Sequence, residues 1–360
     1  MGEKVLMKGN EAVAEAAIRA GCRLYFAYPI TPQSELIEYM ARMMPKHNGT
    51  FLQAESEVAA INMVYGASGC GKRVMTSSSS PGISLKMEGI SYIAGANLPA
   101  VIVNVQRGGP GLGDIQPAQG DYFQATKGGG HGDYRLIVLA PSSVQEFADS
   151  AADAFDLADK YRNPVMILSD GLLGQMMEPV EFRTPKTDNE MKELDNQHLD
   201  WCMHPNKPEP DHHHHEINSL EIDPKELEKH VLRLDEKYKL IEKNEVKHEE
   251  YNLNADNEIL CVAFGTASRI VKSAVDQLKE EGKNVGLIRP ITVWPYPTAA
   301  IKKALHKNVK KVVVFELNLG QMVEDVRLAV EGKVPVEFMG KVGGLVFTPE
   351  EVKTKIEENL

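Results

Sequence analysis

Short runs of uninterrupted apolar residues, each paired with a helical stretch, constrain this 360-residue chain more than any other feature of its sequence. Residues 100–105 read AVIVNV and residues 164–168 read PVMIL. A strand with no polar alternation has no face to offer to water, so it belongs in a parallel sheet covered on both sides. The rhythm around these runs is regular. Residues 10–21 (NEAVAEAAIRAG) have helical periodicity with Gly21 as the stop, and CRLYFAYP then reads as a buried strand broken at Pro29. Thr31 and Pro32 have the chemistry of an N-cap and a first helical residue, which predicts a helix running to about residue 44. A strand over residues 50–53, a small-residue helix from Glu57, a strand over 73–76 and a helix over 83–96 lead to AVIVNV. A strand over 135–139 and a long helix over 142–161 lead to PVMIL. Alternation of this kind predicts one doubly wound α/β domain over residues 1–181.

The texture changes over residues 182–256. Apolar periodicity weakens, prolines and charges accumulate, and the helix expected over 223–245 is charged along much of its length. This stretch is expected to be a connector lying on a surface. It contains four adjacent histidines, His212, His213, His214 and His215, read as a solvated loop because a defined metal site needs ligands that other groups orient. Strand–helix alternation resumes at 257–360, with strands expected over 258–265, 284–289 and 311–316 and helices over 267–282, 297–306, 320–330 and 348–360. A second, smaller α/β domain is expected there.

The segment from Gln53 to Gly82, QAESEVAAINMVYGASGCGKRVMTSSSSPG, carries the most chemistry. Glu57 sits in the first turn of a helix whose next charge is Lys72. So apolar and small-sided a helix packs on more than one face. A carboxylate at its start is expected to be partly shielded from water, the setting in which carboxylates move protons. Acids also favour helix N-termini for the dipole alone, and that plainer reading stands beside the first. Thr31 and Arg107 likewise lie at C-terminal ends of expected strands, where open α/β sheets bind ligands. Thr31 is either a cap or a site residue. Arg107 opens into GGPGLG, where a guanidinium suits a planar carboxylate through two parallel hydrogen bonds. SSSSPG reads as an anion cradle or a tight loop, and His131 as a proton carrier or a loop histidine. No dinucleotide fingerprint and no GxxxxGK[ST] is present. The net charge of −11 argues against a broad nucleic-acid footprint. No apolar run approaches the roughly 20 residues of a membrane span. The amino-terminal residues lack the apolar core of a signal peptide, and Cys22, Cys70, Cys202 and Cys261 are scattered, so a cytoplasmic protein is expected.

YPITP (28–32), ESEVAAINMVYGAS (55–68), VQRGGPG (105–111), KGGGHGDYR (127–135), SVQE (143–146), GTASR (265–269) and LIRPIT (287–292) together resemble the 2-oxoacid:ferredoxin oxidoreductases. The likeness is to the subunit of the branched-chain (3-methyl-2-oxobutanoate) type that carries the pyrimidine half of the thiamine diphosphate site. It covers residues 5–180 and 235–360. The resemblance implies a thiamine diphosphate pyrimidine-binding domain at 1–181 and a transketolase C-terminal-like domain at 257–360. It implies oxidative decarboxylation of a 2-oxoacid to an acyl-CoA, coenzyme A being co-substrate, with electrons passed to ferredoxin. By the same resemblance Glu57 meets ring nitrogen N1′ of the aminopyrimidine as the catalytic acid–base, Tyr28 and Pro29 line the cofactor, and Thr31 and Arg107 face the substrate. Glu55 receives no role. The GDG…N motif that holds Mg²⁺ in the family's diphosphate domain is missing from these residues. The metal and the 4Fe–4S clusters are therefore expected on partner chains: a diphosphate-domain subunit, a gamma-type subunit and a ferredoxin-like iron–sulfur subunit. A 2-oxoglutarate-specific relative, with Lys127 or Arg135 as the second cation, and a non-catalytic assembly subunit are the alternatives.

Overall fold

The computed structural model describes residues 4–203 and 215–360. In chain order it begins with β1 (Lys4–Lys8), α1 (Gly9–Arg19), β2 (Leu24–Ala27), α2 (Ser34–Met43), β3 (Thr50–Gln53) and α3 (Glu57–Gly69). There follow β4 (Val74–Ser78), α4 (Ser80–Gly95), β5 (Ala100–Gln106), β6 (Ile137–Leu139), α5 (Val144–Tyr161), β7 (Pro164–Asp170), α6 (Gly171–Gln175) and β8 (Met177–Glu181). The chain continues through α7 (Asp188–His198), α8 (Pro224–Asn244), β9 (His248–Tyr251), β10 (Ile259–Ala263), α9 (Gly265–Glu280), β11 (Val285–Pro290) and β12 (Thr292–Trp294). It ends with α10 (Thr298–Ala304), β13 (Lys311–Glu316), α11 (Met322–Val330), β14 (Val336–Gly340) and α12 (Pro349–Glu357).

A seven-stranded sheet has the order β12-β6-β7-β5-β4-β2-β3, parallel except for β12. Both β5 and β7 are buried at every residue, as their continuous apolar runs require. The chain steps outward from β2 to β3 and then returns to the other side of β2 to lay down β4. The C-terminal ends of β3, β2, β4 and β5 therefore sit side by side around a reversal in strand order, the place where such sheets leave a crevice. A second sheet, β14-β13-β10-β11-β9, is parallel except for β9.

Local chemistry starts the helices. Ser56 Oγ accepts from Ala59 N (3.2 Å) and so caps α3, with Glu57 as its first residue. Ser143 caps α5 through Glu146 N in the same manner. Thr31 does not cap α2: that helix starts at Ser34 with Gln33 at the N-cap, and Pro32 lies before it. The serine run is split, with Ser77 and Ser78 ending β4, Ser79 at the N-cap of α4 and Pro81 in its first turn.

The two sheets are joined by buried polar contacts. Gln119 Nε2 donates to Phe264 O (2.9 Å) while its Oε1 accepts from Leu317 N (3.0 Å). Arg289, on β11, donates to Glu146 of α5 and to Glu249 of β9. The stretch read as a connector is more structured than its composition suggests. Leu234, Tyr238 and Ile241 give α8 a buried stripe, and β9 adds an edge to the second sheet. His212, His213 and His214 lie outside the described residues, while His215 Nδ1 meets Cys202 O (3.0 Å).

Candidate active site

The residues singled out from the sequence converge on one edge of the seven-stranded sheet. Residues 28–32 follow β2, Glu57 follows β3, Ser79 and Ser80 follow β4, and Arg107 follows β5. Tyr28, Pro29 and Thr31 are exposed. Glu57 is only 6% exposed. Among the described residues no group donates a hydrogen bond to its carboxylate, which leaves both oxygens able to accept from a ligand.

Gly82 is what lets Glu57 sit where it does. A Cβ built on Gly82 would lie 2.1 Å from Ser78 Oγ and 2.6 Å from Glu57 Oε1. The start of α4 thus presses bare backbone against the carboxylate. Behind it lie hydroxyls that find no partner: Ser78 Oγ and Ser79 Oγ are buried and unbonded. A buried hydroxyl without a partner is costly, and Ser78 Oγ, close to the same point of Gly82 as Glu57 Oε1, is one that a polar ligand at this edge would satisfy.

Arg107 is buried and shared. Its Nη1 donates to Thr31 O and its Nη2 to Leu112 O, each at 2.9 Å, so one guanidinium ties the loop after β2 to the glycine loop after β5. Nε is buried without a partner. A guanidinium has five N–H groups, so three remain for an anion. The backbone of Arg107 is fixed from below: its N–H donates to Ser80 Oγ (3.1 Å), and Ser80 donates to Asp121 (2.6 Å), which also accepts from Asn104 Nδ2 (2.8 Å). Burial holds the Asp121 carboxyl above its ordinary pKa, against the lowering effect of those two donors.

The segment 28–32 is held by a second buried network. Tyr25 OH and Ser77 Oγ lie 2.5 Å apart, Ser77 bonds to Gln33 Oε1, and Gln33 Nε2 donates to Tyr28 O (3.4 Å). Asn10 Nδ2 donates to Pro32 O (2.8 Å). Thr31 therefore contributes an anchored carbonyl and an exposed side chain. His131 is exposed, with Nδ1 3.5 Å from Ser91 Oγ and its ring against Tyr92, and it does not join this edge. Lys127 is ion-paired to Asp325 of α11.

Several residues of the site are not evident in the sequence. Gln33, Asn104 and Asp121 become partners only when separate elements meet. Lys86 had a signal: it stands in ISLKMEG, a lone lysine between two glycines in an apolar helix. It is fully buried, and its Nζ donates to Thr76 Oγ1 (2.6 Å) and Ser77 O (3.1 Å).

The thiamine diphosphate-binding family of pyruvate flavodoxin/ferredoxin oxidoreductases matches residues 15–254, and core domain II of pyruvate:ferredoxin oxidoreductase matches residues 257–352. The chain belongs to this family: it is a subunit of a 2-oxoacid:ferredoxin oxidoreductase, an enzyme that works through several subunits together.

Within the family it is 49% identical to the ketoisovalerate oxidoreductase subunit VorB of Methanothermobacter thermautotrophicus over 98% of this chain and 97% of that one. It is 38% identical to the 2-oxoglutarate synthase subunit KorA of Methanocaldococcus jannaschii, over 97% and 98%. The solved 2-oxoglutarate:ferredoxin oxidoreductase of Magnetococcus marinus, with 2-oxoglutarate, coenzyme A and succinyl-CoA bound, has a TM-score of 0.83 at 30% identity. It covers 99% of this chain, which spans 65% of that longer one. A split-gene transketolase in an inactive beta4 tetramer, with a TM-score of 0.58 at 13% identity, shares the fold.

Proposed function

We propose that this chain supplies the pyrimidine side of a thiamine diphosphate site that decarboxylates a branched-chain 2-oxoacid, 3-methyl-2-oxobutanoate, to its acyl-CoA, and that ferredoxin takes the electrons. The observation that carries the reading is Glu57: a buried carboxylate with free acceptor oxygens at the switch point of the sheet. Thiamine diphosphate, when bound, supplies an electron sink for the carbanion that loss of CO₂ leaves behind. The residues fit its aminopyrimidine. Glu57 would share a proton with ring nitrogen N1′, and its burial would keep water from competing for that proton. Ser78 and Ser79 offer unbonded hydroxyls nearby, and Tyr28 and Pro29 form the exposed wall after β2.

Arg107 orients the substrate. Its remaining N–H groups donate to the carboxylate of the 2-oxoacid, while its two backbone contacts hold the loops on either side, with Thr31 at the entrance. The branched-chain substrate is supported by the 49% identity to a ketoisovalerate enzyme subunit, against 38% to a 2-oxoglutarate one. A dicarboxylate would want a second cation, and Lys127 is already paired with Asp325. Mg²⁺, the 4Fe–4S clusters and the binding of coenzyme A fall to a diphosphate-domain subunit, a gamma-type subunit and a ferredoxin-like subunit. The cytoplasm suits such a complex, and this chain's four cysteines are all unpaired.

The test is an assay of the purified complex for acyl-CoA formation with 3-methyl-2-oxobutanoate, 2-oxoglutarate and pyruvate in parallel. The first should give the largest kcat/KM, and a preference for either of the others overturns the substrate. In the same complex Glu57→Gln should lower kcat by roughly 10²–10⁴ with the fold intact. Turnover near the parent's would remove Glu57 from the mechanism.

A further inference from the structure

The helix α4 hides a lysine and shows a leucine. Leu85 is 54% exposed, while its neighbour Lys86 is fully buried. Taking an amine out of water is unfavourable unless something holds it, so its surroundings are informative.

Gly82, Lys86 and Gly89 are spaced i, i+4 and i+7, which puts them on one face of α4. Both glycines touch α3. A Cβ at Gly82 would meet Glu57 Oε1 at 2.6 Å, and a Cβ at Gly89 would meet Ile61 Cγ2 at 2.6 Å. Glu57 and Ile61 are themselves one turn apart on α3. The helices therefore cross in contact along this stripe, and Lys86 emerges between the two points of contact. Its Nζ spends two of its three N–H groups on Thr76 Oγ1 and Ser77 O of β4.

Glu57 is the charged group that acts on it. The other elements around α4 bring neutral or occupied groups. Strand β4 offers Thr76 and Ser77, and β5 offers Asn104 and Gln106. Arg107 is bonded to Thr31 O and Leu112 O, and Asp121 to Ser80 and Asn104. Asp170, at the end of β7, accepts from Leu172 N and Leu173 N.

We infer that Lys86 is a positioning residue for the proton chemistry of this site: anchored on β4 at the crossing of α3 and α4, it sets a positive charge against the carboxylate of Glu57 and so biases where the proton shared with the pyrimidine ring rests. This rests on the reading of Glu57 given above. Burial pulls the Lys86 amine down from 10.5 to about 7, against the opposing pull of Glu57. The charge is accordingly present on the acid side of neutrality and is lost above it.

The experiment follows the near-ultraviolet circular dichroism of thiamine diphosphate bound to the reconstituted complex, titrated from acid to alkaline pH, together with cofactor affinity and the kcat–KM split. The wild type should show a transition at about pH 7. Lys86→Met should abolish that transition or displace it by at least one pH unit, and should lower kcat roughly tenfold with KM for the 2-oxoacid unchanged. Lys86→Gln keeps a donor for Thr76 without the charge and should behave like Lys86→Met. It also serves where the Met variant fails to assemble. A wild-type transition preserved in Lys86→Gln overturns the inference, because hydrogen bonding alone then suffices. Glu57→Gln separates the two readings. A transition lost in Glu57→Gln but kept in Lys86→Gln defeats only the role of Lys86, whereas one kept in Glu57→Gln defeats the reading of Glu57 itself.

Discussion

Lys86 and Arg107 are both cations that the first sheet takes out of water, and the fold treats them differently. Arg107 has two carbonyls to bind, so its burial is compensated by hydrogen bonds. Lys86 titrates, and its folded value of about 7 lies below the ordinary 10.5. Between those values the unfolded chain binds more protons than the folded one, so stability from this group is fully present above 10.5 and is lost as pH falls toward 7. Lys86→Met should therefore be more stable than the parent at pH 6, by a few kcal/mol. The advantage should shrink as the parent gains stability with rising pH. Denaturant midpoints of both proteins across that range check it, and a difference independent of pH would contradict the assignment. Glu57 and Arg107 were legible in the sequence because each stands where an apolar element abruptly changes character. Thr31 was half legible: its place at the site edge is visible, but the helix it was expected to cap begins at Ser34.

At the scale of elements, the crossing of α3 and α4 is set by Gly82 and Gly89, and the two glycines should fail differently when filled. Ile61 is buried, so a methyl group at Gly89 forces the helices apart. Such overpacking costs about 1–3 kcal/mol, offset in part by the roughly 1 kcal/mol that alanine gains over glycine within a helix. Gly89→Ala should lower the unfolding free energy modestly and leave cofactor affinity of the assembled complex nearly unchanged. Gly82→Ala crowds buried Ser78 Oγ and displaces the carboxylate of Glu57, so cofactor affinity should fall in addition to a loss of unfolding free energy like that of Gly89→Ala. Isothermal titration of the complex alongside chemical denaturation distinguishes them, and equal effects of the two variants on cofactor affinity would refute this account of the crossing. The buried strands were readable because period and apolarity agree; β13 occupies Lys311–Glu316 as expected. The strands β1, β8, β9, β12 and β14 were not read. They are short or partly exposed, and β12 pairs with β6 from far along the chain. Only tertiary pairing makes them strands.

Across the whole molecule, the polar groups at the edge of the seven-stranded sheet are left unfinished. Glu57, Arg107, Ser78 and Ser79 all retain unused hydrogen-bonding capacity at the sheet edge. Nothing in the 360 residues offers the GDG motif that would hold a metal-bound diphosphate. Large apolar side chains near these residues in the chain face outward as well: Val58 in the first turn of α3, Leu85 on α4, and Leu112 and Ile115 beyond Arg107. Such a set of exposed apolar groups beside an incomplete polar site is what a subunit interface with the site at its centre requires. On the function proposed above, the pyrimidine contacts alone would give this chain only a fraction of the cofactor's binding free energy, since the charged diphosphate would find its cation and donors on a partner. The isolated chain should therefore bind thiamine diphosphate weakly. Adding the subunit that carries the diphosphate motif, with Mg²⁺, should tighten binding roughly 100-fold or more, at least about 2.8 kcal/mol. Calorimetric titration of the chain alone, of the partner alone and of the pair decides the matter. Equal affinity for the lone chain and the pair would mean that this molecule holds a complete site, and the division of labour argued from its sheet edge would be wrong.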